Sequence, residues 1–145
     1  MLSIYQFDLK NDKEIQYLTI VHWFLQEKFY NQLRTKESLG YIVSLLMTEN
    51  SGCYCLQGLV QCNLKTPEFC AKRIRKFIKD SFELVKNISD DDFKLHVNSR
   101  LVFESKNDQN LNDNVTNNWP EISEDRYKFD KKEKNCEILN NGNKG

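Results

Sequence analysis

An arginine and a tyrosine stand seven residues apart where a helical pattern gives way to an apolar run: Arg34 and Tyr41, with Gly40 directly before the tyrosine. A guanidinium and a phenol both donate hydrogen bonds at neutral pH, so together they can bind a peptide carbonyl and stabilise an oxyanion developing from it. The same residue types suit a structural role, as a cation at a helix C-terminus and a partly buried strand tyrosine. Taken alone, the residue types favour the structural interpretation.

The segment around these residues is predicted to be held locally. Gly40 is expected to supply backbone freedom at the junction and so to let Tyr41 turn inward, which is a structural role. Lys36 and Glu37 are expected to form a local ion pair contributing well under about 1 kcal/mol.

The two histidines do not form a metal-binding pattern. His22 lies on an apolar helical stripe with no second ligand at helical spacing, so a hydrogen-bonded structural histidine is favoured over a metal ligand, and His96 follows the same logic. The acidic run 90–92 fits a helix N-terminus, and the basic run 72–79 fits a solvated helix face. We therefore predict no catalytic residue, no metal ligand and no cofactor in this chain.

Length, charge and cysteine usage narrow the class of protein. A length of 145 residues suits one domain or a large part of one, and 21 basic residues balance 21 acidic ones, so no long-range field favours nucleic acid or an anionic membrane. No apolar run reaches the ~18 residues that cross a bilayer, and the first residues lack the pattern of a signal peptide. An odd number of cysteines, 5, without zinc-type spacing favours reduced thiols. We expect a cytoplasmic protein.

Hydrophobic periodicity predicts the order strand, helix, strand, strand, helix, helix, helix. The strands are predicted over 4–9, 41–47 and 53–64, with a turn at 49–52, and the helices from about residue 12, from Thr66, from Ser89 and over 111–119, stopping before Pro120. The fold class is α+β, an antiparallel sheet with helices packed on one face, C-terminally incomplete because no strands follow the last helices. The domain is predicted over 1–130, and the Lys- and Asn-rich residues 131–145 are predicted to be a disordered polar tail.

Three separated motifs resemble one family. The sequence F-Y-N-Q-L-R-T-K-E-S-L-G-Y-I-V at 29–43 resembles the L-R-T-K-E-x-L-G-Y-I-V signature in the C-terminal half of the insulin-degrading enzyme and pitrilysin-type zinc metallopeptidases. S-D-D-D-F-K-L-H-V at 89–97 is similar to the family's T-E-E-x-F-x-x-H-I, and 119–130 is similar to W-x-E-I-x-x-x-x-Y-x-F-D. The chain looks like most of the fourth α+β unit, a LuxS/mitochondrial-processing-peptidase-like fold, and is also similar to the C-terminal lobe of the coenzyme PQQ synthesis protein F.

The resemblance implies that Arg34 and Tyr41 bind the substrate backbone opposite a zinc ion held by the other half of the enzyme, with Gly40 structural at that site. The family's H-x-x-E-H zinc motif is absent from this sequence, so the resemblance implies a domain that binds no zinc and is inactive alone. It would contribute peptide binding and chamber wall to a zinc-bearing N-terminal half that hydrolyses short, unfolded polypeptides. Two alternatives stay open: a stand-alone peptide-interaction domain using an exposed sheet edge, and a degenerate fragment or pseudoenzyme.

Overall fold

The structure, a computed structural model, describes residues 1–50, 52–106 and 108–142. Within these ranges the elements are β1 (Leu2–Phe7), α1 (Asp12–Tyr30), β2 (Ile42–Asn50), β3 (Cys53–Gln61), α2 (Pro67–Lys86), α3 (Asp90–Glu104), α4 (Leu111–Ser123) and α5 (Lys131–Gly142). A π-helical segment, Asn31–Lys36, continues α1. The chain divides into two units, Met1–Phe93 and Lys94–Gly145, and each is described by itself.

The sheet of the first unit is antiparallel, with the strands in the order β1-β3-β2. β2 and β3 form the predicted hairpin, from Ile42 opposite Gln61 to Asn50 opposite Cys53. Of the predicted turn, position 51 lies outside the described residues, and Gly52 adopts a φ of 77°. Alternate residues of β3 are buried along the strand, as expected when helices cover one face of a sheet.

α1 and α2 pack on the same face of the sheet. Phe29 of α1 is fully buried and meets Phe77 of α2 edge to face, with ring centroids 5.1 Å apart. Gly58, at the middle of β3, makes room for this packing, because a Cβ there would lie 2.7 Å from Ile74 Cγ2 and 3.4 Å from Phe29 Cζ. The predicted α+β class, with an antiparallel sheet and helices on one face, is confirmed.

The predicted starts of α2 and α3 are confirmed by their caps. The hydroxyl of Thr66 accepts a hydrogen bond from Phe69 N at 3.3 Å, and Pro67 occupies the first helical position. The hydroxyl of Ser89 accepts one from Asp92 N at 3.1 Å. Each cap satisfies a backbone donor that the helix itself leaves without a partner, and such a cap typically contributes about 1 kcal/mol.

The prediction that α4 stops before Pro120 is wrong. The helix continues to Ser123, with the proline inside it. The proline removes the N–H that would bond to the carbonyl of Thr116. Because Thr116 is exposed, water can hydrate that carbonyl, and the helix continues. Beyond the proline, Glu124 N donates to Pro120 O at 3.1 Å and closes the last turn.

The segment predicted to be a disordered tail forms α5 over 131–142, while 143–145 lie outside the described residues. Lys134 pairs with Asp130 in two ways: the backbone N–H donates to Asp130 O at 3.1 Å, and Nζ lies 2.7 Å from the carboxylate. Leu139 is buried. The domain limits 1–130 stay a prediction.

Among the described residues, no helix has the length and apolar character needed to span a membrane.

Candidate functional site

The junction between α1 and β2 carries both predicted donors, Arg34 in the π-helical segment and Tyr41 directly before β2. The Tyr41 side chain is 83% exposed, so the inward turn predicted for it is wrong. Leu39 and Val43 occupy the core on either side of it and leave the phenol outside. Arg34 is half-buried, and its Nε is shielded from solvent without an acceptor among the described residues. The junction therefore offers a phenol and a guanidinium to a polar group from elsewhere.

Backbone hydrogen bonds fix the path of the chain between the two donors. Leu39 N donates to Leu33 O at 3.0 Å, and Tyr41 N donates to Gln61 O of β3 at 3.2 Å. Ser38 has a φ of 50°, in the left-handed region, which reverses the chain after the π-helical segment. The segment is held at both ends, so the two donors are attached to a defined backbone rather than to a free loop.

Glu37 is held by α2 rather than by its neighbour in sequence. It forms an ion pair with Arg73, whose Nε donates to Glu37 Oε2 at 2.6 Å and whose Nη2 donates to Oε1, and Gln32 Nε2 donates to Oε1 at 2.7 Å. The predicted ion pair between Lys36 and Glu37 is therefore wrong, because the partner of Glu37 is Arg73. The hydrogen bond from Arg73, with help from Gln32, holds the pKa of Glu37 below its ordinary value despite partial burial.

A glycine is required at position 40 because the backbone at the end of β3 lies very close to it. A Cβ at this position would lie 1.9 Å from Gln61 O and 3.3 Å from Cys62 Cα, so any side chain would displace the end of β3. Its φ lies outside the left-handed region, so steric room and not backbone freedom is what the glycine supplies here. Its structural role at the junction stays as predicted, with a different physical reason.

A groove of about 360 Å³ lies between α1 and the edge strand β2. Its lining side chains are Trp23, Gln26, Glu27, Tyr30, Val43 and Ser44. Trp23, Glu27 and Tyr30 follow one another at steps of three and four residues on α1 and so form one row along the groove. The sequence analysis missed this groove, although the aromatic residues at helical spacing were its available signal.

The histidine and cysteine residues considered as metal ligands have structural roles or form no group of metal ligands among the described residues. His22 Nε2 makes a hydrogen bond of 2.9 Å with Leu45 O of β2, which confirms the structural interpretation. All five cysteines lie in the described part of the chain and are free thiols. Nowhere in the described ranges do three or more His, Cys, Asp or Glu side chains come together in a way that could hold a metal ion. The described residues therefore do not fit a zinc ion, and no chemistry of this site passes through one held by this chain.

Known proteins match both the sequence and the fold. The profile of the family described as PQQ synthase PqqF-like, C-terminal lobe domain 4, matches residues 20–119. Insulin-degrading enzyme-like 2 of Arabidopsis thaliana is 32% identical over 114 residues, which cover 79% of this chain and 12% of that protein. The peroxisomal insulin-degrading enzyme-like 1 of the same plant is 27% identical over 138 residues, covering 95% and 14%.

The crystal structure of pitrilysin superposes with a TM-score of 0.80 at 22% identity, over 96% of this chain and 15% of that one. The chain therefore has the fold of one segment of a much longer protein and spans only a small part of each of these relatives.

Proposed function

We propose, from the premise that this chain belongs to the insulin-degrading enzyme and pitrilysin family of metallopeptidases as a domain of its C-terminal half, that it binds the backbone of a peptide substrate. In this proposal the chain also forms part of the chamber wall around the peptide, and a zinc-bearing N-terminal half supplies the catalyst. Zinc bound in that partner would activate the water that attacks the peptide bond. This chain's own residues would bind and orient the peptide.

One observation carries the proposal: an arginine with a solvent-shielded Nε that finds no acceptor among the described residues lies at the same junction as a largely exposed tyrosine. A peptide carbonyl can accept from both, and it gains negative charge as the tetrahedral intermediate forms. A guanidinium and a phenol can both donate hydrogen bonds to a developing oxyanion without giving up a proton. Both donors are attached to a fixed backbone, which lowers the cost of ordering them.

The groove between α1 and β2 supports an extended peptide as the ligand. It lies along β2, which is an edge strand of the sheet, and it carries the aromatic side chains of Trp23 and Tyr30. Aromatic side chains bind apolar peptide side chains with little loss of conformational freedom. The site therefore suits unfolded polypeptides better than small charged molecules.

Hydrolysis of a quenched fluorescent peptide tests the proposal. The purified chain is assayed alone and mixed with a zinc-bearing N-terminal half from the same family. We expect turnover only in the mixture, abolished by a chelator. Arg34→Ala and Tyr41→Phe should each lower kcat/KM by about a hundredfold, the loss typical for one oxyanion donor.

Matched controls separate this effect from general damage. Lys36→Ala removes an exposed cation two residues from Arg34, and Tyr17→Phe removes the hydroxyl of a tyrosine on α1. Both should leave turnover unchanged. Full activity of both Arg34→Ala and Tyr41→Phe would exclude the assigned roles, and turnover by the chain alone would contradict the proposal that a partner supplies the catalyst.

A stand-alone peptide-interaction domain is the second candidate, and the groove beside the edge strand β2 favours it. Peptide binding would then persist without any partner chain and would not depend on Arg34. Equal affinities of the wild-type chain and Arg34→Ala for the same peptide would select this candidate. The five free thiols support a reducing compartment in either case, and the cytosol is our proposal.

A further inference from the structure

Two cysteines lie directly behind the proposed binding junction. Cys62 follows the last residue of β3 and is half-buried, while Cys70 lies in the first turns of α2 and is 1% exposed. Cys62 packs against the buried core cluster that contains Cys70, and each thiol is among the neighbours that shift the pKa of the other, so the two side chains lie close together. Sequence spacing alone did not single out this pair, because eight residues and a change from strand to helix separate its members.

Backbone donors surround the sulfur of Cys62. Lys65 N donates to Cys62 Sγ at 3.2 Å, and the backbone of Leu64 also favours the thiolate form. Partial burial opposes ionisation, but these donors, the Cys70 thiol and the Lys65 charge together hold the pKa of the Cys62 thiol below its ordinary value. Burial, with the neighbouring Cys62, raises the pKa of Cys70. The pair is therefore asymmetric, with a half-buried thiol whose pKa is lowered and a buried thiol whose pKa is raised.

The backbone at Cys62 supports Gly40 and Tyr41. Gln61 O accepts the hydrogen bond from Tyr41 N at 3.2 Å, and the space a Cβ on Gly40 would need is limited by Gln61 O and Cys62 Cα. Any displacement of Cys62 is thus transmitted to the residue that carries the phenol.

We propose that Cys62 and Cys70 form a reversible disulfide on exposure to a peroxide, and that this bond weakens peptide binding at Arg34 and Tyr41. The second half of the proposal rests on the proposed function. The Cys62 thiolate attacks one oxygen of hydrogen peroxide, which breaks the O–O bond and leaves a sulfenic acid and hydroxide. The Cys70 sulfur then attacks the Cys62 sulfur, the S–S bond forms, and the S–O bond breaks to release water. Two thiols and one peroxide give one disulfide and two waters.

Cys62 is the member of the pair that moves. A disulfide brings the sulfurs to about 2.05 Å, which is closer than two thiols that are not bonded to each other. Cys70 N is bonded to Thr66 O at 3.1 Å within α2, so the helix holds Cys70 in place. Cys62 instead loses the hydrogen bond from Lys65 and shifts towards α2, and the support under Gly40 shifts with it.

Mass spectrometry tests the disulfide by itself. The full chain is treated with hydrogen peroxide, remaining thiols are blocked with N-ethylmaleimide, and the protein is cut with trypsin, whose site after Lys65 separates the two cysteines. We expect a linked pair of peptides, lighter than their sum by two hydrogen atoms and separated by dithiothreitol. Cys53→Ser combined with Cys55→Ser is the matched control and should keep the link, because it leaves Cys62 and Cys70 in place. Absence of the linked pair, in this control and in the wild type, would overturn the proposal.

Fluorescence anisotropy of a labelled, cysteine-free, unstructured peptide tests the regulation. We expect the oxidised chain to bind about tenfold more weakly than the reduced chain, with dithiothreitol restoring affinity, since displacement of a positioning group by about 1 Å can cost up to a hundredfold. Cys62→Ser should bind the peptide equally before and after peroxide. A linked chain with unchanged affinity would overturn the coupling. If the reduced chain binds no peptide, the coupling fails, while the hydrolysis assay of the mixture still decides the proposed function and the cross-link still reports on the cysteines.

Discussion

Arg73 of α2 and Glu37 of the binding junction form a two-pronged ion pair between segments 36 residues apart in sequence. One prong joins Arg73 Nε to Glu37 Oε2 at 2.6 Å, and the side chains are only 25% and 17% exposed. A guanidinium that donates twice fixes the direction of the carboxylate as well as its distance. Through this pair, α2 holds the turn that lies between Arg34 and Tyr41.

Removing the guanidinium should destabilise the first unit. In Arg73→Ala, Glu37 stays partly buried without its main partner, so we expect the free energy of unfolding in urea to fall by about 2 kcal/mol. Arg73→Lys should recover only part of it, because an ammonium cannot donate as a fork. Lys10→Ala is the control, since its ion pair with Asp8 is exposed and contributes at most about 0.5 kcal/mol. Equal losses in Arg73→Ala and Lys10→Ala would contradict the role of the pair between Arg73 and Glu37.

The same pair predicts a dependence of stability on pH. The pKa of Glu37 is lowered from its ordinary value of 4.5 by the hydrogen bond from Arg73. A lowered pKa means that the folded state favours the ionised carboxylate, so its stabilisation is fully present above pH 4.5 and is lost as pH falls through the folded-state pKa. Denaturation in urea at a series of pH values should show this loss in the wild type and a smaller one in Glu37→Gln. Identical pH profiles would exclude Glu37 as a contributor.

Local signals in the sequence predicted much of the first unit, because they depend on residues close in sequence. Thr66 followed by proline is a helix start in any context, and the hairpin follows from two apolar runs around a turn. The partner of Glu37 could not be predicted in this way, because the ion pair forms only once α2 lies against the junction. The requirement at Gly40 likewise arises from the end of β3, a segment about twenty residues away.

For α5, the composition of the sequence led to a wrong prediction. Its segment is rich in Lys and Asn, and few of its residues are apolar, so composition indicated disorder. The helix instead begins with the backbone hydrogen bond from Lys134 N to Asp130 O and buries Leu139, and composition reports neither.

Gly40→Ala should cost more stability than alanine at another glycine of the same hairpin region. A Cβ at Gly40 meets Gln61 O at 1.9 Å, so β3 or the junction must move, with an expected cost of about 3 kcal/mol. Gly52→Ala is the control, since a Cβ there meets nothing within 4 Å and only its φ of 77° is unfavourable, at about 1–2 kcal/mol. Thermal unfolding of both variants checks the order. A Gly40→Ala variant as stable as Gly52→Ala would mean that the contact relaxes freely.

Phe29→Ala should test the packing of α1 and α2 on the sheet. Phe29 is fully buried and meets both Phe77 and the space above Gly58, so its removal leaves a cavity and should cost about 3–5 kcal/mol. Phe82→Ala is the matched control, because that ring on α2 is 72% exposed and should change stability by about 0.5 kcal/mol or less. Chemical denaturation of both variants gives the comparison. A small effect at Phe29 would argue against the packing of the two helices described above.

Leu139 is expected to hold α5 in its helical form. It is 2% exposed, so Leu139→Ser should remove about 2 kcal/mol of local stability and raise the hydrogen-exchange rates of the α5 amides about thirtyfold. Glu137→Ser changes an exposed position of the same helix and should raise them far less. Mass spectrometry of peptides covering 131–142 measures both variants against the wild type. Wild-type amides that exchange as fast as those of an unstructured peptide would restore the disordered tail predicted from composition, because a segment without burial has nothing to offset its conformational entropy.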